Sequence, residues 1–123
     1  MTIYSEHSRI LSTEDSAILR EISDNCTGLT QDGLEAAQIF NLLMSLEGNL
    51  VYFENKLSMI SIDKLFAFED DLANFQQFVD RLEATEELIV LKANEEVLSK
   101  IEHITALFER IIQELSDAKA GQE

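Results

Sequence analysis

Between Val97 and Leu115 the residues Val97, Ile101, Ile104, Phe108, Ile111 and Leu115 recur at alternating steps of four and three, and Leu98, Leu107 and Ile112 widen the same side. That spacing gathers them on one face of a helix, and an apolar face of this width is stable only when other apolar surface covers it. Either the chain supplies that cover as a bundle around this helix, or part of the face is left for another chain.

The rest of the sequence supplies matching stripes. Ile18, Ile22 and Cys26 follow one another at steps of four, behind Ser12 or Thr13 as cap and Glu14 and Asp15 where the helix dipole favours acids. This predicts a short helix to about Asn25. Asp32 and Glu35 form a capping-box pattern ahead of a long stripe: Ala36, Ile39, Leu43, Leu46, Leu50, Phe53, Leu57 and Ile60. Gly48 interrupts it chemically but not in register, so a bend or split is expected there. A hairpin of Leu50 to Phe53 with Leu57 to Ile62 is the rival, but its turn would place Glu54 where glycine or asparagine is wanted.

Asp63 is the expected cap of a third helix with Leu65, Phe68, Leu72, Phe75, Val79 and Leu82 inward and Phe66 and Phe78 beside them. Thr85, Glu86 and Glu87 make a helix start after a one-residue register shift. Leu88 to Leu91 is locally strand-like, but Ile89, Ala93 and Val97 connect it at helical spacing to the last helix. A fourth helix from about Glu86 to Ser116 is predicted, unless it fuses with the third into one rod. The arm over 1–11 and the tail over 117–123 carry no sustained period and should be loose.

Proline is absent and only four glycines break the chain, fewer turn residues than sheet-rich folds use. The expected fold is all-α: a single domain over 1–123, a four-helix bundle with coiled-coil-like packing, one short helix and three long ones, and an aromatic-rich core. A length of 123 residues with 46% hydrophobic content suits one domain with a real core.

The charge narrows the function classes. With 24 acids against 9 bases the formal charge is −15, which repels nucleic-acid phosphates and anionic membranes, so neither is an expected partner. No basic start with an apolar run and no long apolar segment suggests a signal peptide or membrane span. A lone Cys26 fits a reducing compartment, and the cytoplasm is the expected location.

No residue set points to catalysis, a cofactor or a metal. His103 on a helix raises a phosphotransfer domain, which this chain resembles in size. Those domains follow their histidine with a base three residues on and a small glycine-serine patch, whereas Ala106 stands there and no such patch follows. Carboxylates cluster at Glu69 to Asp71, Glu86 and Glu87, and Glu95 and Glu96. No glutamate has a histidine three residues later, and no calcium-loop pattern occurs, so they read as solvated helix faces and helix starts. Cys26 continues an apolar spacing and reads as a small buried group.

What remains is binding. The wide last stripe makes Leu98, Leu107, Ile112 and Leu115 the candidate partner-binding residues of a small adaptor that holds a protein through apolar helix faces. In size, low isoelectric point and amphipathic C-terminal helix the chain resembles, in general character, the bacterial type III and flagellar secretion chaperones. That resemblance implies protection of an exported subunit. The alternative uses the acids. Glu21 to Asn55 holds six acids and no base, and Leu65 to Asp80 four acids and no base, so an acidic helical surface could imitate DNA. Phage anti-restriction and some anti-CRISPR proteins inhibit nucleic-acid enzymes in that way. Lys56, Lys64, Arg81, Lys92, Lys100 and Arg110 interrupt the run, against that reading. A structural homodimer is the third possibility.

Overall fold

The computed structural model describes residues 13–57, 60–84 and 94–122. Four helices account for most of them: α1 (Thr13–Leu29), α2 (Ala36–Glu54), α3 (Leu65–Ala84) and α4 (Glu95–Gln122), with a 3-10 turn at Ile62–Lys64 leading into α3. The all-α four-helix bundle is the observed architecture, and among the described residues there is no strand.

Each helix packs on two neighbours. α1 lies against α2 and α3, and α4 against α2 and α3, which leaves α1 and α4, and α2 and α3, on the diagonals. Polar contacts give the directions. Glu21 meets Ser45 and Asp15 meets Tyr52, so α1 and α2 are antiparallel; Glu47 meets Lys100 and Glu54 meets Arg110, so α2 and α4 run parallel. Ser23 reaches Asp71 and Arg81 reaches the end of α1, while Phe75 stacks on Phe108 and Phe66 lies under Lys119. The fold is thus two antiparallel helix hairpins laid side by side, with the link from α2 to α3 crossing one end diagonally.

The stripes meet in the middle. Phe53, Phe68, Phe75, Phe78 and Phe108 are almost wholly buried, packed among Ile22, Leu43, Leu46, Leu50, Ile104 and Ile111. Phe75 is the hub, with ring centroids 6.1 Å from Phe78 and 6.2 Å from Phe108, distances at which tilted aromatic pairs attract. Phe66 is the exception to the aromatic core, being 65% exposed.

Helix ends depart from expectation for local reasons. α1 runs on past Asn25 to Leu29, because Cys26 and Leu29 are both core residues and continue its stripe. Gly33, at a φ of 75°, turns the chain, and the capping box falls at Glu35 and Gln38 rather than Asp32 and Glu35. The Gln38 side chain accepts the Glu35 N–H at 2.8 Å. α2 passes through Gly48 unbroken and stops at Glu54, where Asn55 donates to the Val51 carbonyl. Leu50 to Phe53 are helical, which removes the hairpin. Ile60 still plugs the core from the connecting segment. Ser61, not Asp63, caps the 3-10 turn.

Asn94 caps α4 by accepting the Glu96 and Val97 N–H groups, so that helix begins at Glu95 rather than near Glu86, and α3 and α4 are separate. α4 also continues to Gln122 where a fraying tail was expected after Ser116, helped by Gln113 donating to Asp117 and by Lys119 on the Phe66 ring. The 1–11 arm, the Thr85 helix start and the Leu88 to Leu91 run lie outside the described residues.

The joint between hairpins is fastened by Arg81. Its guanidinium donates to the carbonyls of Leu29, Thr30 and Gln31 and to the Asp32 carboxylate, at 2.9 to 3.1 Å. Those carbonyls lie where α1 ends and would otherwise lack helical partners. Only a planar fork reaches several at once, so Arg81→Lys should lower unfolding stability by about 1–2 kcal/mol. Asp32, whose side chain is 99% exposed, should be replaceable by alanine with little change. Urea denaturation of the two variants checks both.

Candidate functional site: an acidic face on α3 and α4

Four of the bases are held in ion pairs within the fold. Lys56 pairs with Asp15, Arg81 with Asp32, Lys100 with Glu47 and Arg110 with Glu54, each across a seam between elements. His103 Nδ1 lies 2.8 Å from the second Glu47 oxygen. Partial burial pushes the Glu47 carboxyl up, but hydrogen bonds from His103 and Lys100 outweigh it and leave it below its usual value.

Those pairings leave one side of the bundle with acids and few bases. Along α3, Phe66, Glu69, Ala73, Gln76 and Asp80 are all exposed at three-and-four spacing, a single stripe. Along α4, Leu98, Glu102, Thr105, Glu109, Ile112 and Ser116 form the matching stripe, which ends at Lys119. Lys119 sits 5.1 Å above the Phe66 ring, so the two stripes border the same groove. At a rise of about 1.5 Å per residue the α4 stripe is about 30 Å long. Among the described residues, Glu69, Asp80, Glu102 and Glu109 join no ion pair, and Lys119 at one end is the base on these stripes.

The four residues singled out for partner binding divide between core and surface. Leu107 and Leu115 are buried at 3% exposure each and belong to the core. Ile112 is half-buried against the core, and Leu98 is 41% exposed. The bundle therefore covers most of the wide α4 face and leaves its edge. Phe66 joins Leu98 and Ile112 there, an apolar residue the stripe count had assigned to the interior.

On the opposite flank of α3, a cleft of about 290 Å³ opens against α1, lined by Ser16, Arg20, Ser23, Lys64, Phe68 and Asp71 among others. Asp71 is only 7% exposed, and its two carboxylate oxygens share one donor, the Ser23 hydroxyl, at 3.0 and 3.1 Å. Burial lifts its pKa from 3.8 to about 6, the Ser23 bond opposes this, and Asp70 adds to it. By sequence Asp71 groups with Glu69 and Asp70 as part of a solvated face, and the structure buries it. A second register, Phe68, Asp71, Phe75, Phe78 and Leu82, is the signal that places it inward. Cys26 is buried as expected, and burial, reinforced by Asp71, pushes its thiol above the ordinary range.

Among the described residues no three of His, Cys, Asp and Glu come together as a metal-binding set, and no helix is long and apolar enough to cross a membrane. Compared with protein-family models, curated proteins and solved structures, the chain has no match.

The Asp71 carboxyl has a defined effect on stability. Below about pH 4 it is protonated folded and unfolded. As pH rises from 3.8 to about 6 the unfolded chain releases this proton first, so the folded state loses relative stability, and above about 6 the loss is complete. Asp71→Asn stays neutral and should stabilise the protein by about 2 kcal/mol near pH 8, the gain vanishing toward about pH 4. Thermal melts of both proteins across that range measure it.

Proposed function

We propose that this protein is a small helical interaction module that captures a basic protein partner on its α3–α4 face. The observation that supports the reading is the sorting of charge. Four bases are paired with acids across the seams, while Glu69, Asp80, Glu102 and Glu109 stay exposed and, among the described residues, without an ion pair around Phe66, Leu98 and Ile112. A groove with acidic ridges and apolar points suits an amphipathic segment that carries lysine or arginine beside its own apolar residues. An adaptor, or a chaperone holding a subunit before its export, would use such a face.

Mimicry of nucleic acid is the second reading, and the same sorting favours it. Of the six bases that break up the acids in the sequence, Lys56, Arg81, Lys100 and Arg110 are paired across seams and Lys64 lines the cleft against α1, so these five do not interrupt the acidic stripes, while Lys92 lies outside the described residues. On this reading the basic partner is a nucleic-acid-binding protein, and DNA competes with the module for it.

Both readings predict a basic partner whose capture from native lysate weakens as salt rises. The double variant Glu102→Lys and Glu109→Lys should weaken that capture by about tenfold or more without unfolding the bundle, since both residues are exposed. Leu98→Asp should weaken it as well. Capture indifferent to salt and to charge reversal defeats both readings. Displacement of the partner by duplex DNA selects mimicry, and its persistence selects the adaptor.

A further inference from the structure

The outer face of α2 is unlike the rest of the surface. Its exposed stripe reads Asn41, Met44, Gly48, Val51 and Asn55, with no charged residue in it. Met44 is 50% exposed and Val51 38%. The two acids of this helix, Glu47 and Glu54, lie toward α4, where Lys100 and Arg110 neutralise them and His103 Nδ1 lies within hydrogen-bond distance of Glu47. In a chain of formal charge −15, α2 is the helix whose exterior does not repel a second copy. Exposed methionine and depletion of charge are also the composition of interface centres.

Gly48 gives the stripe its centre. It does not have a positive φ, and a Cβ added there would meet nothing within 4 Å, so neither the backbone nor the packing of one chain calls for glycine. A glycine in the middle of an exposed helix weakens that helix. It suits the approach of another backbone. On either side the chemistry is mirrored: an apolar residue about one turn away, Met44 or Val51, then an amide about two turns away, Asn41 or Asn55. A twofold axis through Gly48 brings Met44 of one copy against Val51 of the other, and Asn41 against Asn55. A sequence that reads alike in both directions about a small residue is what a self-complementary contact needs.

We infer that the protein forms a homodimer through antiparallel α2 helices crossing at Gly48. The contact is small, one helix face from each copy, so the dimer is a weak one, with a Kd on the order of 10–100 µM. Because α2 lies diagonally across the bundle from α3, pairing there leaves an acidic α3–α4 face free on each copy.

Sedimentation velocity over a concentration series reaching about 1 mM tests this directly. The wild-type chain should pass from monomer to dimer, and added salt should tighten the dimer by screening the repulsion between copies. Met44→Asp should abolish dimerisation with the helical circular dichroism spectrum intact. Gly48→Ala should raise the melting temperature of the monomer while weakening the dimer about tenfold or more, a divergence that a purely structural role of the glycine does not produce. Gly48→Cys should cross-link to its own counterpart under mild oxidation, since Cys26 is buried. A chain that stays monomeric at every concentration overturns the inference, as does a dimer indifferent to Met44→Asp and Gly48→Ala. Met44→Asp that leaves a monomer unchanged but abolishes capture of a different protein assigns the face to that protein and also overturns it.

Discussion

Burial of four amphipathic stripes against one another is the constraint on which everything else rests. Isolated helices of 17 to 28 residues are marginal in water, and their stability here comes from the shared interior of Phe53, Phe68, Phe75, Phe78 and Phe108 with its aliphatic surround. Once that interior forms, the seams are close enough for short polar side chains to meet. Ser23 and Asp71, Asn25 and Asn49, and Ser45 and Glu21 all pair across helices within 3.3 Å. Burial brings these groups together, and their hydrogen bonds then set the register.

Charge is organised by the same packing. In an excess of acids, the bases are a limited resource, and this fold places four of them where two helices or a helix and a loop meet. Each such pair holds a seam and also offsets a positive charge with an acid's. The α3–α4 face and the α2 face are the two results, one acidic and one neutral. Both follow from where Lys100 and Arg110 fall on α4: on the side turned to α2, which neutralises Glu47 and Glu54 and leaves Glu102 and Glu109 on the side turned to α3.

Asp71 shows the opposite case, a charge kept where it costs stability. It occupies a core register on α3 between Phe68 and Phe75, with a single hydroxyl donor for both oxygens, and it lies at the foot of a cleft whose lining includes Arg20 and Lys64. A carboxylate in that position ties stability to pH through the range where it titrates.

The sequence by itself determined the fold class, the four helices of the described residues, most of the core and the lack of a recognisable catalytic motif, because helical periodicity and the shortage of turn residues are local properties written along the chain. Boundaries were less legible. Asp32 looks like a cap but is drawn to Arg81, and the stripe through Leu57 and Ile60 continues although α2 has ended, since apolar residues can plug a core from a loop as well as from a helix. The candidate site was legible only in part. Leu98 and Ile112 could be picked out from the wide stripe, but Leu107 and Leu115 go to the core and Phe66 to the surface. Which side of a helix faces a neighbour depends on which helices lie beside it, and that was decided by the diagonal crossover between α2 and α3. The same tertiary choice paired the bases with acids far away in sequence, and so decided which acids remain exposed.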